Sequence, residues 1–238
     1  MNSILTSFNS KHSTDKNKEE FFQTERLTLL RKLDKTSRVK PSINFYSHKL
    51  HALQYAESIL ETDAYLHLEF EPTVKRYLTQ PCSFKLNINN RKTRYTPDAL
   101  VEDIYGNYFF LEVKPSSKLQ EDKNSEKFSQ IKSYFEEELN VPFRILTEKD
   151  IRVGKLTQNL QQLYVFLDVT LDNATTKKIV NTLPEKVTVK TLEQVCHQFH
   201  QLPHYAWALI ARGYFNFHFE EMLTRSTLIS VNKNYSGA

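Results

Sequence analysis

The sequence predicts an α/β fold followed by a smaller C-terminal domain, and three observations carry that reading. Residues 93–114 are dense in strong β-formers, with helical periodicity on both sides. Strand and helix signals keep interleaving as far as Phe166, the pattern of an α/β domain over residues 1–170. From Leu167 the pattern changes to short helical patches and then short strands, which sets residues 171–238 apart. A chain of 238 residues suits two unequal domains, since one domain takes ~100–200.

The elements follow in order. Residues 1–15 are polar, and Phe21, Phe22, Leu27, Leu30 and Leu33 give helical spacing over Lys16–Lys35. Residues 11–40 are the densest basic stretch near this end, read as a solvated helix face ahead of a DNA-binding arm. A second helix is predicted from Leu50 to Phe70 on the stripe Leu53, Ala56, Leu60, Ala64 and Leu68, with Pro72 ending it. Residues 74–87 read as extended around Gln80-Pro81. Thr93–Asp103 is predicted as one strand, Tyr105-Gly106-Asn107 as a turn and Tyr108–Lys114 as the next strand. A helix over 124–139, a strand over 142–146 and a helix over 156–166 complete the first domain. Helices at 174–183, 191–201 and 203–212 then lead to strands at 214–219 and 227–231. Three helices closed by a hairpin are the outline of a winged helix.

Composition narrows the function. Four Gly are too few for a glycine-rich phosphate loop, and no window approaches the ~18 apolar residues of a membrane span. The start of the chain has no signal-peptide pattern, and Cys82 and Cys196 lack metal-ligand spacing, so a reducing cytoplasm is expected. A net charge of +4 permits nucleic-acid binding without demanding it.

The hairpin carries the chemistry. Thr96-Pro97-Asp98 opens one strand and Glu112-Val113-Lys114 closes the next. Glu112 and Lys114 alternate onto one face with Phe110. A three-residue turn would pair Ile104 with Tyr108 and set Asp98 opposite Lys114. A two-residue turn would send Asp98 to the other face. Two carboxylates and a lysine at one sheet end suit Mg²⁺-dependent phosphodiester hydrolysis: oxygen ligands hold the hard cation and the lysine orients water. A cross-strand ion-pair ladder on an exposed edge is the plainer alternative. A third acid is expected from the preceding helix, where Glu57, Glu61, Asp63 and Glu69 lie. Glu61 borders the buried stripe and is the one placed to reach inward.

Phe45-Tyr46-Ser47-His48-Lys49, Ser58-Ile59-Leu60-Glu61, Leu68-Glu69-Phe70-Glu71, Gln80-Pro81, Thr96-Pro97-Asp98-Ala99-Leu100-Val101 and Glu112-Val113-Lys114-Pro115 together resemble TnsA, the endonuclease subunit of heteromeric cut-and-paste transposases. The resemblance covers residues 41–170 and, beyond them, rests only on the winged-helix outline. It implies a restriction-endonuclease-like fold that nicks the 5′ ends of transposon-end DNA with Mg²⁺, or Mn²⁺ in its place. It implies a TnsB-like DDE transposase subunit for the 3′ ends, a TnsC-like AAA+ regulator as a further partner, and no membrane. Carried over by position, Glu61, Asp98, Glu112 and Lys114 are the active-site set. Glu61, Asp98, Glu112 and the Val113 carbonyl are the metal ligands. Some relatives carry Gln where this chain has Glu112.

Lys118, Lys123 and Lys127 follow the catalytic strand and are the expected DNA-backbone contacts. Arg212 and Arg225 suit phosphate or protein binding alike. Tyr205, Trp207 and Ile210 read as core, and His197, His200 and His204 as unconnected with zinc because Pro203 interrupts their helix. A stand-alone restriction or repair nuclease, or a winged-helix DNA-binding or adaptor protein with a vestigial nuclease site, remain the alternative functions.

Overall fold

The computed structural model describes residues 43–233, so the helix expected over Lys16–Lys35 lies outside the described residues. Strands β1 (Ile43–Ser47) and β2 (Ala52–Ala56) form an antiparallel hairpin where the sequence reading began a helix at Leu50. Helix α1 runs only from Ile59 to Phe70. The reason is a reciprocal cap. Ser58 Oγ accepts the Glu61 amide at 3.1 Å, and the Glu61 carboxylate accepts Ser58 Oγ at 2.9 Å and the Glu57 amide at 2.7 Å. This capping box stops the helix from propagating upstream, and residues 52–56 pair as a strand instead. Glu57 is therefore not on the helix.

Every residue of α1 from Asp63 to Phe70 is buried, as befits a helix covered on all sides. Its C-terminal end is fastened by Glu69, which accepts bonds from Ser47 Oγ (2.5 Å), Tyr77 Oη (2.6 Å) and the His48 and Lys49 amides (3.0 and 3.3 Å). Lys49 Nζ donates to the Glu71 and Val74 carbonyls, each at 2.5 Å. Burial lowers the Lys49 pKa to about 8 against the opposing pull of Glu69 and Glu71. Buried charge is tolerated only when so partnered. The cluster holds the hairpin, the end of α1 and the start of β3 together.

Strand β3 (Val74–Thr79) leads to β4 (Phe84–Ile88) and β5 (Arg91–Tyr95), which pair with each other as a separate two-stranded ribbon. The predicted strand Thr93–Asp103 is thus two, β5 and β6 (Ala99–Asp103), split at Thr96-Pro97-Asp98. Pro97 has no amide to give a ladder and a fixed φ, so the chain changes sheets there. β6 joins the central sheet, ordered β3-β6-β7-β8, with β7 at Tyr108–Val113 and β8 at Phe143–Leu146. The first three strands are antiparallel, and β8 runs parallel to β7.

The β6–β7 register pairs Glu102 with Tyr108, two residues away from the expected Ile104–Tyr108 pairing. Asp103 sets it: Oδ1 accepts the Tyr105 and Asn107 amides at 2.9 and 2.8 Å, and its own amide bonds Asn107 O at 2.9 Å. The loop is thereby longer than the three residues read from sequence. An even shift leaves each side chain on its own face, whereas an odd one would have reversed them all. Continued by one step, this register sets Asp98 across from Glu112, not Lys114.

Beyond β7 come α2 (Ser116–Leu119), α3 (Asp122–Ser133), a π-helical turn at Tyr134–Glu138 and, after β8, α4 (Glu148–Ile151). One core joins the ribbon, the sheet and α3 through Leu86, Ile88, Tyr95, Leu100, Phe110, Phe128 and Phe143 around Phe135. Phe135 lies 4.6 Å from the Phe110 ring and 4.8 Å from Phe84, tilted and edge-on.

The chain divides into two compact units between Ile151 and Arg152, earlier than the 170/171 boundary read from sequence. Helix α5 (Leu156–Tyr164) belongs to the second unit, because Asn159 donates to Glu221 O at 2.9 Å and accepts the Leu223 amide at 2.8 Å. The unit continues as α6 (Asn173–Thr182), β9 (Lys186–Thr188), α7 (Val189–Gln198), α8 (Pro203–Ala211), β10 (Phe215–Phe217) and β11 (Leu228–Val231). Its antiparallel sheet is ordered β10-β11-β9; β9 is too short to have registered in the sequence. No described helix is long and apolar enough to cross a membrane.

Candidate active site

Strands β6 and β7 bring Asp98, Glu112 and Lys114 together at one end of the central sheet. Lys114 Nζ lies 2.8 Å from Glu112 Oε1, and Tyr95 Oη donates to Glu112 Oε2 at 2.5 Å. Asp98 Oδ2 accepts the Val113 amide at 2.7 Å, and Tyr65 Oη on α1 donates to the Asp98 carbonyl at 2.9 Å. Glu112 is 2% exposed and Asp98 9%, while the Lys114 side chain keeps about a third of its surface in solvent. These are shielded carboxylates behind one accessible ammonium.

The electrostatics follow from that burial. The Asp98 carboxyl is held well above the usual carboxylate range, first by burial and then by the charges of Glu112 and Glu61; Lys114 and the Val113 amide oppose the shift. Burial likewise raises Glu61. For Lys114, burial alone would favour the neutral amine, but Glu112, Asp98 and Glu61 outweigh it and raise its pKa. Its ammonium is the cation that acts on both Asp98 and Glu61.

Glu61 is 6% exposed, and its carboxylate is committed to its own helix start, bonding Ser58 Oγ and the Glu57 amide. It acts on Asp98 through its charge. Of the other acids of α1, Glu69 is consumed by the hairpin clamp and Asp63 is buried two residues along the helix. Lys118 pairs with Glu121 at 2.8 Å, Lys123 is exposed on α3, and Lys127 Nζ sits 5.6 Å from the Phe128 ring centroid. In the second unit, Arg225 is engaged by Glu193 at 2.6 Å and Arg212 by the Leu167 carbonyl at 2.5 Å. Trp207 Nε1 donates to Glu193 at 3.0 Å.

Among the described residues no three His, Cys, Asp or Glu side chains close around a common point. The donor set still suits a hard divalent cation. The Asp98 and Glu112 carboxylates are shielded beside one ammonium, and burial first, then the charges of Glu112 and Glu61, raise the proton affinity of Asp98; a bound cation would offset both. Asp98, Glu112 and the Val113 carbonyl are the groups that would hold it, with Glu61 supplying charge from α1.

Tyr95 is not singled out by the sequence, since on one continuous strand its spacing of three from Asp98 would put it on the opposite face; the break at Pro97 between β5 and β6 brings it to Glu112. It is a positioning residue for Glu112. Tyr95→Phe is expected to lower cleavage about tenfold, the scale of one hydrogen bond to a charged group. Adding Glu112→Gln should then cost less than it does in the parent, since both changes act on one oxygen. Additive losses in that double-mutant cycle would show that Tyr95 is only a core residue.

No curated protein matches the chain in sequence. Residues 71–148, which hold β3 to β8 and with them Asp98, Glu112 and Lys114, match the family model described as TnsA-like endonuclease N terminal.

Proposed function

We propose that this chain is the Mg²⁺-dependent endonuclease subunit of a heteromeric transposase, cutting the 5′ ends of transposon DNA. The observation that carries the proposal is the shielded Asp98–Glu112 pair with Lys114 on Glu112, lying inside the segment matched to TnsA-like endonucleases. A mixed sheet with its acid pair at one strand end, covered by α1 and α3, supports a restriction-endonuclease-like architecture. The order α6-β9-α7-α8-β10-β11 with sheet β10-β11-β9 supports a winged-helix-like module in the second unit.

Bound Mg²⁺ would stabilise charge on the phosphate and make its water ligand more acidic. The protein's own groups do the rest. Asp98 is oriented by the Val113 amide, and Glu112 by Tyr95 and Lys114. The Lys114 ammonium, with part of its surface open, is placed to orient the attacking water. Lys118, Lys123 and Lys127 remain candidate backbone contacts, and a TnsB-like subunit and a TnsC-like regulator are the proposed partners in a cytoplasmic complex.

The test is a strand-specific cleavage assay on transposon ends with TnsB-like and TnsC-like proteins supplied. Asp98→Ala should abolish the 5′ cuts and leave the partner's 3′ cutting and joining, giving a fused donor–target product. Loss of both cuts by a correctly folded variant complex would contradict this division of labour.

A further inference from the structure

The β4–β5 ribbon has two unlike faces. Its inward residues Leu86, Ile88 and Tyr95 belong to the core, and its tip turns through Asn89 and Asn90, both with positive φ (50° and 60°). Asparagine tolerates that conformation, and a two-residue turn of this type fixes a tight hairpin register. Asn89 is further held to α3, its amide donating to Gln130 Oε1 at 3.0 Å and its Oδ1 accepting Gln130 Nε2 at 2.5 Å. The ribbon is therefore a rigid projection.

The outward face consists of Lys85, Asn87, Lys92 and Arg94, all exposed. Lys85 stands directly across from Arg94, and Lys92 across from Asn87. Like charges set opposite each other cost a hairpin stability. Among the described residues no acid forms an ion pair with Lys85, Lys92 or Arg94. Elsewhere in the same unit, Lys75 and Arg76 share Glu102, Lys118 has Glu121 and Lys132 has Glu136. Lys123 and Lys127 of α3 are interleaved with Asp122 and Glu126, whereas β4, β5 and the turn between them hold no acid. The chain passes from this face through Tyr95 to Asp98 in a few residues. Lys92 lies at most ~20 Å from Asp98 along extended chain, about six base pairs of duplex.

We propose that the outward face of the β4–β5 ribbon, through Lys85, Lys92 and Arg94, binds the phosphate backbone of duplex DNA beside the cutting site. The inference rests on the nuclease reading, and it names the surface that receives the substrate. Charge complementarity selects the occupant: an acid-free row of cations on a rigid edge suits a polyanion, and contacts to phosphate position the duplex without reading its sequence.

The experiment measures binding of the full chain to a duplex of arbitrary sequence in EDTA, across a salt series, with no cleavage involved. Lys85→Gln/Lys92→Gln/Arg94→Gln should bind about tenfold more weakly. The slope of log K against log salt should fall by about 2–3, at ~0.9 for each phosphate no longer neutralised. Lys85→Arg/Lys92→Arg/Arg94→Lys, which keeps the charge, should keep the slope. Thermal melting should be unchanged or raised in the neutral variant, because a like-charge pair is relieved. If the triple variant does not fold, the single changes Lys85→Gln and Lys92→Gln should each lower the slope by about one. An unchanged slope in the neutral variants overturns the proposal. So does loss of slope only when Lys118, Lys123 and Lys127 are changed to Gln, or loss of an acidic protein partner with DNA binding intact. A chain that binds through the ribbon but never cuts in the strand assay would leave this surface standing and remove the nuclease reading instead.

Discussion

Asp98→Asn is expected to lower strand cleavage by at least ~10³-fold, about 4 kcal/mol of transition-state stabilisation, while making the metal-free protein more stable at neutral pH. Both effects have one cause. Burial and the charges of Glu112 and Glu61 hold the native Asp98 carboxyl above its unfolded value, so the folded state prefers the protonated form. Below the unfolded value, roughly pH 4, Asp98 is protonated in both states and its contribution to stability is fully present. As pH rises through the native pKa that contribution is lost. Asparagine is neutral throughout and can still accept the Val113 amide. Calorimetry in EDTA should therefore show the variant melting above the parent at pH 7–8, the gap closing towards pH 4. A variant that melts below the parent at pH 8 would mean that the carboxylate stabilises the fold and is not held there for function.

Lys114→Gln should cost ~10²-fold or more in cleavage, expressed in kcat with KM little changed, since the group acts on water and not on the DNA ground state. It removes the ammonium from Glu112 Oε1 and leaves three shielded carboxylates without it. Metal-free stability at neutral pH should fall. Partial solvent exposure of Lys114 moderates that loss, because screened pairs are worth less. Metal binding should survive, because the change takes away a positive charge and no ligand. A variant that loses metal and chemistry in parallel would recast Lys114 as structural support for the site.

The acid pair was legible because its determinants are local. Pro97-Asp98 and Glu112-Val113-Lys114 flank a strand pair whose alternation fixes a face, and a two-residue register error leaves that face unchanged. The register itself was not legible, since it depends on Asp103 folding back on Tyr105 and Asn107. The true start of α1 was legible in Ser58-Ile59-Leu60-Glu61, a capping box, but the apolar stripe running back to Leu53 suggested a longer helix. That stripe is equally compatible with a strand pairing to Ile43–Ser47, and only the partner strand decides. The capping box also spends the Glu61 carboxylate on the helix start, which spacing along a helix could not reveal. The role of Tyr95 was not legible, because it depends on the chain passing from the β4–β5 ribbon to the central sheet at Pro97, a tertiary event. The domain boundary shifted for a similar reason: Asn159 bonds residues more than sixty positions ahead.

The proposed activity needs a divalent-cation site at Asp98 and Glu112. Its most direct measurement is a Mn²⁺ titration of the full chain followed by electron paramagnetic resonance, comparing parent with Asp98→Asn. Saturable Mn²⁺ binding is expected of the parent, lost in Asp98→Asn and retained in Lys114→Gln. Equal Mn²⁺ binding by the parent and Asp98→Asn would contradict it and place any metal elsewhere.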